Sequence, residues 1–274
     1  MTGYYNGVAN HQPPLWGGIV VNYDVFRHPP FPIAVYEPDM TPERLARIKQ
    51  ILDTRQPDIS VLTDQVHKPR NLSAIIRSCD AFGLANMHVV WPKEGFRAFR
   101  KTAGGSYNWV RTHTHPSMDD AVASLKASGH KLYAAQLSER AVDYREVDYT
   151  VPCTVIMGNE VDGVSDSASD QADEHIVIPM MGMVESLNVS SACAIILSEA
   201  QRQRKLAGLF DQRRLPEDVY MRLLFQWCQP TIKRYCDDRK LPYPPIDPET
   251  GELIDGVGWM NEVRRQRHPE LIGE

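Results

Sequence analysis

A chain of 274 residues, 42% hydrophobic and 24% charged, is long enough to bury one large core or two small ones. No stretch nears the roughly 18 uninterrupted apolar residues of a membrane span, and the N-terminus MTGYYNGVANHQPP lacks the basic and apolar regions of a secretory signal, so a cytoplasmic protein without a membrane partner is expected. A net charge of −5 excludes a uniformly basic nucleic-acid binder, and five cysteines, odd in number and without C-x-x-C spacing, argue against a disulfide framework or a zinc site, so no metal is expected.

Residues 1–39 are rich in Pro, Gly and Tyr with no sustained period, and read as an irregular extension. The first helix starts at Thr41, a capping hydroxyl followed by Pro42 and Glu43, with Leu45, Ile48 and Leu52 on one face. Strands and helices then alternate. ISVLT (59–63) predicts a strand, and 71–83 a helix capped by Asn71 and stopped at Gly83. Strands are predicted at 87–91 and 109–115, then a helix at 117–128 whose Ser117 and Asp120 resemble a capping box. Three short, continuously apolar runs (131–136, 153–158 and 175–179) have the character of buried parallel strands. A long helix at 188–207, two shorter ones at 217–229 and 231–240 and a Pro-rich end complete the chain. The pattern is that of an α/β domain with helices on both faces of a mostly parallel sheet, followed by a helical C-terminal extension.

Ligands of such sheets bind beyond the carboxyl ends of the strands. Three loops leave those ends with unusual residues: DQVHKPRN (64–71) leading into a helix with Arg77, MGNEVDG (157–163) with Glu160, and IPMMGMVESLN (178–188) with Asn188. Each has a plainer reading. Asn71 and Asn188 are good helix caps, Arg77 could bridge Asp80 on an exposed face, and the methionines could fill a core. No generic nucleotide or hydrolase motif is present. Basic residues cluster between Lys93 and Arg111 with aromatics interleaved, again at 202–214, and at 264–267, which makes an RNA-facing surface plausible.

As a set, HKPRNLSAIIRSCDAFG, VIMGNEVDGVS and IPMMGMVESLNVSSACAIILSEAQRQR resemble, in order and spacing, the motifs of the SpoU (TrmH) family of RNA 2′-O-ribose methyltransferases, part of the SPOUT superfamily. The resemblance implies a SPOUT methyltransferase domain over 40–208, with a trefoil knot near its C-terminal end, and S-adenosylmethionine as cofactor. Matched by motif, it implies catalytic roles for Asn71, Arg77, Glu160, Ser186 and Asn188. It implies a cofactor pocket at Ala135, Gly158, Ile178, Met180 and Leu187, although the family often has Thr where Ala135 stands. Within the C-terminal extension (209–274), LLFQWCQPTIKRYCDDRKLPYPPIDPETGEL (223–253) is similar to the tail of the family's tRNA guanosine-18 enzymes, which implies tRNA as partner and a D-loop ribose as target; the family's RNA sites, completed across two subunits, imply a homodimer. Two alternatives stay open from the residues themselves: methylation of a ribosomal RNA nucleotide, and a non-catalytic RNA-binding protein on the same scaffold.

Overall fold

The computed structural model describes residues 40–91 and 106–267. The expectation for 1–39 lies outside them, as do most of the basic run from Lys93 and the last residues of the chain.

Helix α1 (Pro42–Asp53) begins as its sequence demands, with Thr41 Oγ1 accepting from the Arg44 amide at 3.2 Å and Leu45, Ile48 and Leu52 buried. Strand β1 (Gln56–Asp64) feeds α2 (Pro69–Ala81), and β2 (Leu84–Val90) pairs beside β1. Then follow β3 (Arg111–His115), α3 (Met118–Ala127), β4 (Lys131–Ala135) and the two-residue β5 (Val142–Asp143). Next come β6 (Cys153–Met157), α4 (Asp166–Gln171), β7 (Glu174–Val177) and α5 (Val189–Leu206). The end of the chain adds α6 (Glu217–Cys228), α7 (Pro230–Arg239) and α8 (Gly256–Arg267). Ser117 caps α3 as read, its Oγ accepting from the Asp120 amide; the Asp120 carboxylate takes the Ser117 hydroxyl rather than its backbone N–H, so the reciprocal half of the box is replaced.

All strand pairings are parallel, and the order is β3-β2-β1-β6-β4-β7-β5. The late strand β6 therefore lies between β1 and β4, and β7 between β4 and β5. One face is covered by α2 and α5, whose Ile75, Ile76, Cys79, Cys193, Ile196 and Ala200 pack on Ile59, Val61, Val89 and Val155. The other is covered by α3 and α4, which pack on Leu62, Val90, Leu132 and Ile156. Burial on both sides is what parallel strands require, and it explains their unbroken apolar runs. All five cysteines are buried and unbridged.

The C-terminal helices build a third core. Leu224, Phe225 and Trp227 of α6 bury against Leu45, Ile48 and Leu52 of α1. Buried arginines join this part to the sheet. Arg204 donates to Gln56 Oε1 at 3.0 Å and to the Tyr149 carbonyl at 2.8 Å and pairs with Asp58, whose other oxygen takes Arg214 at 2.6 Å. Arg55, 1% exposed, pairs with Asp80, donates to the Leu84 carbonyl and lies over the Trp227 ring.

Four expectations need correction. Helix α2 starts at Pro69 with Lys68 as its cap residue, because a residue before proline is driven to extended backbone, so Asn71 sits inside the first turn and caps nothing. Ser73, which the i, i+4, i+7 spacing sets on the same face as Arg77 and Asp80, is nonetheless only 6% exposed. Strand β1 begins three residues before the apolar run, since buried Gln56 is satisfied by Arg204 and by the Leu209 carbonyl. The Pro-rich end contains α8.

Candidate active site

Because every strand is parallel, the loops after β1, β4, β6 and β7 leave one edge of the sheet. The β6–α4 loop is a tight turn. Asn159 and Gly163 exchange backbone bonds at 2.9 and 3.2 Å, and Asn159 Oδ1 accepts from the amides of Val161 and Asp162. A Cβ on Gly158 would stand 2.1 Å from the Gly163 carbonyl carbon, so only glycine allows this turn to close.

The turn carries Glu160 to the start of α2. Its carboxylate accepts from the His67 amide at 3.2 Å, the Lys68 amide at 3.3 Å and Asn71 Nδ2 at 2.5 Å. It thus satisfies the backbone N–H of Lys68, the N-cap residue of α2, and of the residue before it. Burial raises the Glu160 carboxyl, but the bonds from Asn71, His67 and Lys68 outweigh it and hold it below the ordinary carboxylate value. Asn71, 8% exposed, turns its Oδ1 to Asn188 Nδ2 at 3.2 Å. Asn188 caps α5 as expected, its Oδ1 accepting from the Ser190 amide at 2.9 Å and from Ser190 Oγ at 2.6 Å. The chain Glu160–Asn71–Asn188–Ser190 thus links three loops that are far apart in sequence. Ser190 was not among the residues singled out, and its hydroxyl has the signal of a second polar residue in the first turn of a helix.

Arg77 stands apart from this chain. It is exposed on α2 and has no hydrogen-bond or ionic partner among the described residues. Glu160 does not orient it, and the plainer bridge to Asp80 does not form either, because Arg55 occupies that carboxylate. Ser186 is exposed. Of the five motif-matched catalytic positions, the structure joins Asn71, Glu160 and Asn188.

The pocket positions gather at neighbouring strand ends. Ala135 pairs with Met157 and with Ile176, which places Gly158 one residue beyond the first pairing and Ile178 two beyond the second. Met180 is half-buried and Leu187 is 37% exposed, whereas Met181 and Met183 are 98% and 101% exposed and cover nothing. Small residues at two strand ends beside a half-buried Ile178 are a lining of the kind against which a flat, partly apolar group such as an adenosine moiety packs.

Residues 58–198 match the family model of the SpoU rRNA Methylase family, and residues 202–256 that of the SpoU rRNA methylase C-terminal segment. The chain belongs to the SpoU methylase family. Among its relatives, a tRNA (guanosine(18)-2'-O)-methyltransferase of Escherichia coli is 46% identical over 80% of this chain and 96% of that protein. A protein of the same name from Thermus thermophilus is 50% identical over 69% of this chain and 97% of its own length. The crystal structure of the Aquifex aeolicus TrmH/SpoU tRNA modifying enzyme superposes with a TM-score of 0.63 at 38% identity, covering 68% of this chain and 94% of that one. An AdoMet-bound rRNA methyltransferase from Sinorhizobium meliloti superposes at 0.50 with 29% identity, covering 56% of this chain and 59% of that one. The first SpoU match takes in all three loops of the site, and the second the segment that packs on α1.

Proposed function

We propose that this SpoU methylase transfers a methyl group from S-adenosylmethionine to the ribose 2′-hydroxyl of guanosine 18 in tRNA. The observation that carries the reading is the pair of tRNA (guanosine(18)-2'-O)-methyltransferases matched over nearly their whole length at 46% and 50% identity. The closed chain from Glu160 to Ser190 supports a catalytic scaffold over a purely RNA-binding one.

Ala135, Gly158, Ile178, Met180 and Leu187 would hold the cofactor along the strand ends. When bound, S-adenosylmethionine supplies an electrophilic methyl on a sulfonium, so the protein's part is to place the hydroxyl in line and ease removal of its proton. Arg77, exposed and unpartnered among the described residues, is disposed to take a substrate phosphate in a bidentate clamp and to polarise the 2′-hydroxyl. A guanidinium keeps its charge near neutrality, so this role fits it better than that of a base. Glu160 is a weakened base, occupied by three donors; it positions Asn71, and Asn71 and Asn188 fix each other at the mouth of the pocket. Ser186, exposed in the loop before Asn188, is placed to meet the substrate backbone.

The knotted path of the family is supported by the interleaving of β6 and β7 among earlier strands. A groove along the solvent side of α5, apolar at Tyr144, Ala194 and Ile195 and rimmed by charged Glu199, Arg202 and Lys205, is the face proposed to meet a second copy of the chain in a homodimer. No helix among the described residues is long and apolar enough to cross a membrane, and work on tRNA in the cytoplasm accords with that. The domain reading assigns 1–39 to an accessory extension, 40–208 to the methyltransferase and 209–274 to tRNA binding. The deciding assay is methyl transfer from labelled cofactor to a full tRNA transcript, to one with guanosine 18 replaced by adenosine, and to ribosomal RNA. Incorporation confined to the first is expected; labelling of ribosomal RNA alone would overturn the substrate.

A further inference from the structure

Two carboxylates cross between the loops of the site in opposite directions. Glu160 reaches from the β6–α4 loop to the amides of His67 and Lys68. Asp64, the last residue of β1, reaches back: its Oδ2 accepts from the Ser165 amide at 2.8 Å, at the foot of the β6–α4 loop. Asp64 is 1% exposed, and its Oδ1 is buried with no partner among the described residues, as are the hydroxyls of Thr63 and Ser165. A buried carboxylate with an unpaired oxygen is costly, so the acceptor offered to the Ser165 amide is not accounted for by stability alone. The next residue, Gln65, holds a φ of 51°, a left-handed conformation uncommon without glycine, with its amide donating to the Val90 carbonyl at 3.1 Å.

We propose that Asp64 is a positioning residue for methyl transfer, holding the foot of the 158–165 loop and thereby setting where Glu160 and Asn71 stand. The inference rests on the methyltransferase reading above. The mechanics follow from the loop itself. The bonds between Asn159 and Gly163 make residues 159–163 a closed unit that moves as one piece. One end continues β6 through buried Gly158, and the other runs through buried Val164 to Ser165, which as cap residue of α4 makes no side-chain capping bond of its own and is held by Asp64. Releasing Ser165 frees the unit to swing about Gly158, and Glu160 swings with it. The two acids are reciprocal: each holds the loop that carries the other.

The test uses the full chain with Asp64→Ala, Asp64→Asn, Glu160→Ala and the Asp64→Ala/Glu160→Ala double variant. The first readout is amide hydrogen exchange at His67 and Lys68, which does not depend on activity. Exchange there is expected to speed up at least tenfold in Asp64→Ala, with the amides of α3 unchanged, and to return towards wild type in Asp64→Asn, whose carboxamide oxygen still accepts from Ser165. The second is single-turnover methylation of tRNA. A fall of tenfold or more is expected for Asp64→Ala, with near wild-type rates for Asp64→Asn and a double variant no slower than Glu160→Ala alone. Unchanged exchange at His67 and Lys68, equal acceleration in α3, or rate losses that multiply in the double variant would each overturn the assignment. A wild-type chain that methylates no tRNA would overturn the substrate instead, and exchange at His67 and Lys68 would still decide the hold of Asp64 on Glu160.

Discussion

Replacing Arg77 with alanine separates a surface role from a catalytic one, because the structure makes the stability arm nearly silent. Arg77 is exposed, Asp80 is already paired with the buried Arg55, and alanine is the better helix former, so the change should cost under about 0.5 kcal/mol. For a folded unit of this size that is a melting shift below about 2 °C. The affinity for S-adenosylmethionine, measured by calorimetry, should hold, since none of the pocket positions at the strand ends lies on α2. The single-turnover rate of methyl transfer should nevertheless fall about a hundredfold or more, roughly 2.7 kcal/mol of transition-state stabilisation. Arg77→Lys should recover part of that, as an ammonium keeps the charge but loses the planar fork. A rate within about threefold of wild type for Arg77→Ala would refute the clamp.

The bond between Asn71 and Asn188 predicts coupling: the double alanine variant should differ from the sum of the singles by about 0.5–1 kcal/mol in denaturant unfolding. Glu160 is depressed below its ordinary value, so its contribution is present above pH 4.5 and fades as pH falls through the folded value; the stability gap between wild type and Glu160→Gln should close in acid titrations. His88 is pushed down to about 3, by burial first and then by His113, His115 and His130. The unfolded chain therefore binds more protons between pH 6.5 and about 3, and His88→Gln should lose on the order of 1–2 kcal/mol less than wild type between pH 7 and 5 in urea unfolding. Arg234, exposed on α7, should lower the salt dependence of tRNA binding by about one counterion when changed to alanine, measured by filter binding across a salt series.

The fold was legible where one physical signal dominated. Buried parallel strands show as short apolar runs, and Thr41, Ser117, Gly83 and Gly129 mark helix ends by capping chemistry or left-handed backbone. The start of β1 was hidden because Gln56 and Asp58 are polar, and only partners more than 140 residues away, Arg204, Leu209 and Arg214, satisfy them there. The five catalytic candidates were legible as a motif set, but their wiring was not. Asn71 has the look of a cap in sequence, and only the arrival of Glu160 from 89 residues away and of Asn188 from 117 residues away gives its side chain other partners. Arg77 had its pairing misread for the same reason, since the competing Arg55 lies 25 residues from Asp80. Asp64 carried no signal beyond an acid at a strand end.

The strand order has a consequence for how the chain is made. Both sheet neighbours of β4, β6 and β7, lie later in the sequence, so when residues 131–135 leave the ribosome neither edge of that strand has a partner. The outer edge of β1 waits in the same way for residues 153–157. A nascent chain of this kind exposes hydrogen-bonding apolar edges over some twenty to ninety residues of synthesis, and closes its sheet only by inserting new strands between old ones. Such a molecule should depend on protection during translation more than a sheet of the same size whose strands pair in the order they emerge.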